Sequence, residues 1–146
     1  MTQALSDVPE IPEGFELISP KDPYSESFGP VYVARAEQRM GFRVADFHCN
    51  PIHTLHGGAL ATFADMLISA LPEYTGKGDG HAPTISLAID YLAPALEGNW
   101  VEAEVSVDRI TRRLLFIRSV ISAEQRIVAR THAIYRNHEK TGYTLT

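Results

Sequence analysis

The sequence predicts an α+β fold in which an antiparallel sheet of about six strands wraps around one long central helix. Two observations carry this prediction. From residue 59 to 71 nearly every side chain is apolar, which is typical of a helix surrounded by protein. From Thr84 onward, apolar residues recur with a period of two in four segments, a pattern typical of strands. A curved sheet is the element that can enclose such a helix.

Composition and charge restrict the class of protein. The 146 residues are 45% apolar and 21% charged, which fits one ordinary globular domain spanning 1–146. A net charge of −5 argues against nucleic acid as a partner. The single cysteine excludes an internal disulfide framework, and no export signal is visible. No apolar run reaches the roughly 20 residues that a membrane helix needs, so we expect a cytoplasmic protein without a membrane partner.

The first half of the chain predicts an arm, two strands and the central helix. Prolines interrupt residues 1–23, which we expect to form an arm over a sheet edge, with one helical turn at 13–18. Alternation of apolar residues predicts strands at 31–38 and 41–49. The helix is expected from about 57 to 73, because a proline near that end fits a helix boundary better than a helix interior.

The second half predicts four strands and a tail. Residues 75–83 are rich in glycine and are expected to form a loop. Short connections between the strands predict hairpins and therefore antiparallel pairing. The strands are expected at 84–91, 101–107, 114–122 and 126–136. The polar tail, 137–146, is expected to be loose.

One residue of the central helix is out of place on packing grounds. Asp65 lies among apolar neighbours, and Thr62 and Ser69 share its narrow stripe of the helix surface. A carboxylate buried among apolar side chains must find partners, shift its pKa or face a cavity. Asp65 is therefore a candidate site residue, although a structural ion pair explains it equally well on these grounds.

The start of the same helix has an unusual composition. Gly57 and Gly58 follow His56 at the first turn, where the backbone N–H groups lack helical partners and glycine allows close approach. These N–H groups carry partial positive charge and suit an anion or a polarised carbonyl oxygen. With Asp65, this turn predicts an acyl-transfer site, whereas His56 alone also fits a residue that simply begins a helix.

Three short motifs occur together: Asn50-Pro51, then His56-Gly57-Gly58 with Asp65, then Tyr91-Leu92-Ala93-Pro94-Ala95. Their order and spacing resemble the acyl-CoA thioesterases of the hotdog fold, in the PaaI-like (phenylacetate-pathway) branch. The resemblance covers about residues 28–136. It implies a sheet wrapped around the helix, a homodimer joined edge to edge and often a homotetramer. It also implies an active site at the subunit interface, where the aspartate of one subunit works against the His-Gly-Gly turn of the other.

The resemblance assigns roles by position. It implies that Asp65 is the catalytic carboxylate and that the Gly57 amide binds the thioester oxygen, supported by His56. Asn50 would position the water or the thioester, and Thr84 would help the attacking water. Both of these residues also have ordinary interpretations, Asn50 as a turn residue and Thr84 as a strand residue.

Several metal-ligating residue types cluster before the helix. Where the family usually has glycine, three residues after Asn50, this chain has His53, which puts the shape of that turn in doubt. His48, Cys49, His53 and His56 are ligand types, but their spacing matches no standard zinc pattern. We therefore expect no metal.

The expected function is hydrolysis of an acyl-CoA thioester to a carboxylic acid and free CoA. Asp65 would act as general base or nucleophile, and the Gly57 N–H would stabilise the oxyanion. No cofactor is expected beyond the coenzyme A of the substrate. A non-catalytic acyl-CoA-binding module is one alternative, and a hotdog enoyl-CoA hydratase or dehydratase using a His56–Asp65 pair is another.

Substrate contacts can be suggested from side-chain type. Arg112 and Arg113, in a basic turn between strands, are candidates for the phosphates of coenzyme A, although a solvated turn explains them as well. Four residues are candidates to line the acyl pocket: Phe63, Met66, Leu67 and Tyr74.

Overall fold

The computed structural model describes residues 10–19, 22–71 and 82–137. Within them, seven strands form one antiparallel sheet. The strands are β1 (Glu16–Leu17), β2 (Tyr32–Ala34), β3 (Arg39–Arg43), β4 (Thr84–Tyr91), β5 (Trp100–Ile110), β6 (Leu114–Ala123) and β7 (Arg126–Arg136). The helices are α1 (Pro23–Phe28) and α2 (Gly57–Asp65), with 3₁₀ turns at Arg35–Glu37, Asp46–His48 and Leu67–Ala70. The predicted α+β class is confirmed.

The central helix begins where expected but is shorter. His56 caps α2, and α-helical geometry ends at Asp65, after which the chain tightens into the 3₁₀ turn Leu67–Ala70. Leu71 is already extended, with φ −83° and ψ 123°. It precedes Pro72, and a residue before proline is pushed out of the α region. The expected helix to residue 73 is therefore wrong beyond Asp65, and residues 72 and 73 lie outside the described ones.

The sheet packs against one side of α2. Leu60, Phe63 and Ala64 are buried there, and the Phe63 ring lies 4.7 Å from that of Phe42 in β3, centroid to centroid. The opposite side of the helix is open. Asp65 is exposed on it, so the expectation that this carboxylate is buried within the chain is wrong.

The strand order is β1-β2-β3-β5-β6-β7-β4. The connections from β5 to β6 and from β6 to β7 are hairpins, as expected. β4 pairs with β7, not with β5, so the expected hairpin between β4 and β5 is wrong. Strand β4 therefore forms one edge of the sheet, and it carries Ile85 and Tyr91, each 55% exposed.

The early part of the chain departs most from expectation. The strand predicted at 31–38 is confined to β2, and the one predicted at 41–49 is β3 followed by the 3₁₀ turn Asp46–His48. The helical turn expected at 13–18 is wrong, because β1 pairs with β2 there. Helix α1 was not expected, although Asp22 caps it by accepting the Ser25 N–H.

The end of the described chain is held in place. Asn137 is buried, and its side-chain amide donates to the Thr111 carbonyl over 2.8 Å. The expected loose tail is therefore wrong at Asn137, and 138–146 lie outside the described residues. Across residues 10–19, 22–71 and 82–137, no helix is both long and apolar enough to span a bilayer.

Candidate active site

Asp65 and Thr84 come together at the open side of α2. Thr84, the first residue of β4, donates its hydroxyl to Asp65 Oδ1 over 2.6 Å. Both side chains are exposed, and the Asp65 carbonyl accepts from the buried Tyr135 hydroxyl over 3.0 Å. The carboxylate thus lies at the end of a helix that is anchored to the sheet. The hydroxyl of Thr84 fixes the orientation of the carboxylate, whose second oxygen is left for a proton or a carbonyl carbon.

The His-Gly-Gly turn forms the start of α2. His56 Nδ1 accepts the Gly58 N–H over 2.8 Å, so the proton of the neutral imidazole lies on Nε2. The Gly57 N–H has no acceptor among the described residues. Tyr91 donates its hydroxyl to the Gly57 carbonyl over 2.6 Å, which fixes this turn to the end of β4.

A pocket of about 340 Å³ lies beside this turn. It is lined by Thr54, Leu55, Gly57, Leu60, Tyr91, Leu92, Ala93, Pro94, Ala95 and Val128. The whole motif 91–95 therefore lies beside the Gly57 amide, although sequence reasoning assigned no role to its members. The pocket is walled mainly by apolar groups and opens next to an N–H at a helix start, a setting in which a polarised carbonyl oxygen is stabilised.

Gly57 and Asp65 are far apart within one chain. Asp65 lies eight positions after Gly57 in the same α-helix, which corresponds to about 12 Å along its axis. A reacting carbonyl must lie within about 3 Å of both its oxyanion donor and its catalytic partner. One chain alone therefore does not bring these two predicted residues onto one carbonyl.

Asn50 closes a turn. Its amide donates to Thr54 Oγ1 over 2.7 Å, and its Oδ1 accepts the N–H groups of Ile52 and Thr54 over 3.1 and 3.2 Å. These bonds hold the loop that leads into the start of α2. Asn50 is therefore a turn residue, and its contact with water or thioester stays a prediction.

His53 lies at the centre of that turn in the left-handed region, with φ +61°. This conformation explains why glycine suits the position, because a side chain is disfavoured there. The His53 side chain turns outward, and its Nδ1 lies 3.2 Å from Glu97 Oε2.

The histidines and the cysteine that precede α2 make hydrogen bonds to other groups of the protein. His48 is buried, its Nδ1 accepts the Ala45 N–H, and its Nε2 lies 2.6 Å from the Phe28 carbonyl. Burial lowers the pKa of His48, although its contact with the Phe28 carbonyl and nearby Asp46 oppose the shift. Among the described residues, no three His, Cys, Asp or Glu side chains are placed to hold a metal ion.

The candidate substrate contacts are placed as follows. Arg112 and Arg113 are exposed in the β5–β6 turn, and their contact with coenzyme A stays a prediction. Phe63 and Leu67 are fully buried in the core and are not among the lining residues of the pocket beside Gly57. Met66 is half-buried, and Tyr74 lies outside the described residues.

Comparisons with known proteins give a consistent result. Residues 53–130, more than half of the chain, match the family "Thioesterase superfamily". A Pseudomonas aeruginosa protein named a putative esterase is 27% identical over 128 residues, covering 86% of this chain and 96% of that protein.

Solved structures show the same fold. A single-residue mutant of the phenylacetic acid degradation protein PaaI from Thermus thermophilus superposes with a TM-score of 0.66 at 26% identity, covering 80% of this chain and 99% of that one. A hypothetical thioesterase protein from Streptococcus pneumoniae, solved with coenzyme A, superposes with a TM-score of 0.62 at 15% identity, covering 88% and 92%. The predicted hotdog fold and PaaI-like resemblance are confirmed.

Proposed function

This chain belongs to the thioesterase superfamily and is a thioester hydrolase, and we propose that it cleaves acyl-CoA thioesters to a carboxylic acid and free CoA. The observation that carries the proposal is the pair of reactive features on α2. A helix-start N–H without an acceptor among the described residues lies beside a pocket, and a carboxylate at the helix end accepts a hydrogen bond from the Thr84 hydroxyl. Coenzyme A bound to a protein of the same fold supports this choice of substrate.

Each residue has one step in the reaction. The thioester oxygen accepts a hydrogen bond from the Gly57 N–H, which stabilises the negative charge that develops as the carbonyl is attacked. Asp65 takes a proton from water, the water oxygen forms the new C–O bond, and the C–S bond breaks to release the CoA thiolate, which is then protonated. Alternatively, Asp65 attacks the carbonyl carbon, the C–S bond breaks to release the CoA thiolate, and water then cleaves the mixed anhydride to the free acid and the Asp65 carboxylate. Thr84 holds the carboxylate in either route.

The assembly we propose is a homodimer that joins two sheets along β4. Gly57 and Asp65 lie about 12 Å apart along one helix, so a complete site needs Asp65 of one protomer beside the Gly57 turn of its partner. Strand β4 supports this, because an eight-residue edge with exposed Ile85 and Tyr91 is a surface that proteins normally cover. The homotetramer and the cytoplasmic location stay predictions.

The geometry supports hydrolysis over the two alternatives. A hydratase would use His56 as an acid–base group, and only its Nε2 is left for that role because Nδ1 accepts the Gly58 N–H as the helix cap. A binding module without turnover would have no need for a carboxylate held by a hydroxyl. Hydration of a 2-enoyl-CoA, assayed beside hydrolysis, separates these functions directly.

The test of the proposed function is thiol release from short-chain, medium-chain and aromatic acyl-CoA thioesters. We expect release with at least one of them, and a loss of about 10²- to 10⁴-fold in Asp65→Asn, which keeps the shape but removes the base. Asp108→Asn is the matched control, because Asp108 is also exposed and pairs with Arg118 on β6. Absence of thiol release from every thioester, or an Asp65→Asn enzyme at the wild-type rate, would refute the proposal.

The two-subunit site is tested by mixing variants. Gly57→Pro removes the N–H at the first helical position, where proline is tolerated, and should lower the rate about 10²- to 10³-fold, although its ring also adds carbon atoms beside Tyr91. Gly57→Ala keeps the N–H, and its Cβ would lie 3.5 Å from the Tyr91 ring, an ordinary contact. The Asp65→Asn and Gly57→Pro chains are mixed in equal amounts, unfolded together and refolded. Half of the resulting dimers contain one chain of each kind, and one of the two sites in such a dimer is intact. The mixture should therefore regain about a quarter of wild-type activity. If the two residues acted within one chain, mixing would restore nothing.

A further inference from the structure

A second pocket, of about 290 Å³, lies on the open side of α2. Three elements enclose it: α1, the 3₁₀ turn Asp46–His48 and the first half of α2. Its lining residues are Tyr24, Ser27, Phe28, Phe47, His48, Gly58, Ala59 and Thr62. The residues 91–95 do not line it, so this pocket is separate from the one beside Gly57.

The polar side chains that line the pocket already have hydrogen-bond partners, and much of the remaining wall is formed by the rings of Tyr24, Phe28 and Phe47. Both ring nitrogens of His48 contact backbone groups, and burial lowers the pKa of His48, which disfavours the charged form of the ring. The Ser27 hydroxyl donates to the Tyr24 carbonyl over 2.6 Å, and the Thr62 hydroxyl donates to the Gly58 carbonyl over 3.0 Å. Aromatic rings with satisfied polar neighbours suit a hydrocarbon better than a charged or strongly hydrated group.

The pocket is next to the reactive carboxylate. Thr62 lies three residues before Asp65, and residues at that spacing are neighbours on a helix face, with Cβ atoms about 5–6 Å apart. Gly58, Thr62 and Asp65 form one stripe, so an acyl chain that leaves a thioester held at Asp65 meets this pocket within one helical turn.

Tyr24 closes the outer side of the pocket. Its side chain is 67% exposed, yet its hydroxyl lies 3.0 Å from Thr62 Oγ1, 38 residues away in the chain. Because Thr62 gives its own proton to the Gly58 carbonyl, its oxygen is left to accept from Tyr24. This bond ties α1 to α2 and holds the Tyr24 ring as a wall between the pocket and solvent.

We propose that this pocket receives the acyl group and that Tyr24 is a specificity-determining residue, whose ring limits the length and bulk of acyl chain that the enzyme accepts. The proposal rests on the thioesterase activity proposed above and adds to it the residue that selects among acyl-CoA substrates. Tyr24 touches the acyl group but takes no part in bond making or breaking.

The test is a profile of kcat/KM over straight-chain acyl-CoA thioesters from acetyl to palmitoyl, for wild type and for Tyr24→Ala. Removal of the ring should move the preferred chain to greater length and raise the ratio of long-chain to short-chain kcat/KM about 10-fold or more, since a methylene in an apolar pocket changes discrimination by about that factor. Tyr24→Phe keeps the ring but loses the hydroxyl bond to Thr62, so it should move the preferred length less than Tyr24→Ala does. Leu17→Ala is the second control, because Leu17 is comparably exposed but does not line the pocket.

The outcomes separate the two proposals. If wild type releases thiol but Tyr24→Ala keeps the wild-type profile, the role of Tyr24 is refuted while the thioesterase function remains. An equal fall for every chain length also refutes it, since a merely structural role gives that result. Wild type inactive on all the thioesters refutes the function itself.

Discussion

The two sides of α2 differ in what their residues contact, although they belong to one nine-residue helix. On the inner side, Leu60 and Phe63 are buried against the sheet. On the outer side, Thr62 and Asp65 have polar partners from α1 and β4. Residues on one side of α2 thus contribute to stability, and residues on the other side contribute to the candidate site. Substitutions on the inner side should lower the free energy of unfolding, and those on the outer side should change activity alone.

The largest effect is expected on the inner side. Phe63→Ala should lower the free energy of unfolding by about 3–5 kcal/mol, because it leaves a cavity against Phe42 in the core. Urea unfolding followed by circular dichroism measures the loss. Thr62→Ala, the neighbouring substitution on the outer side, should stay within about 0.5 kcal/mol of wild type. Equal losses in the two variants would show that the helix has no such division.

A smaller effect is expected at the contact between Thr84 and the carboxylate. Thr84→Ala removes the 2.6 Å hydrogen bond to Asp65 and should lower kcat about 10- to 100-fold, the equivalent of a hydrogen bond to a charged group. Stability should barely change, because Thr84 is exposed. Thr84→Ser keeps a hydroxyl and should recover most of the rate in the same thiol-release assay. A Thr84→Ala enzyme with wild-type kcat would remove Thr84 from the site.

The sequence allowed the inner side to be predicted better than the outer side. Apolar spacing located the start of α2, and alternation located β7 to the residue. The apolar residues around Asp65 led to the wrong prediction that this side chain is buried. Such residues indicate that a helix is packed against protein, but they do not show which of its sides the same chain buries. The exposure of Asp65 follows from the sheet's position, which is a property of tertiary structure.

Strand neighbours were the other point that the sequence left undetermined. A period of two gives the faces of β4 but carries no information about which strand it pairs with, so its position beside β7 could not be derived. The residues of α1 that line the second pocket were missed for a simpler reason. Asp22 followed by Pro23 is a helix-start signal that would have located α1, and with it Tyr24, but the prolines of this region were interpreted only as breaks.

The smallest effect on stability is expected from the protonation of His48, which lines the second pocket but is itself buried. Burial lowers its pKa in the folded protein below the ordinary value of about 6.5, so between these two pKa values the unfolded chain binds more protons than the folded one. Stability should therefore fall as pH decreases through about 6.5, by at most about 1.4 kcal/mol per pH unit, and level off below the folded pKa. Urea unfolding at a series of pH values measures this for wild type and His48→Gln, which keeps a donor and an acceptor but does not titrate. Subtracting the two curves cancels the other titrating groups. If the difference in free energy of unfolding between wild type and His48→Gln does not vary with pH, the pKa of His48 is the same in the folded and unfolded protein. Burial in the second pocket would then have no effect on this histidine.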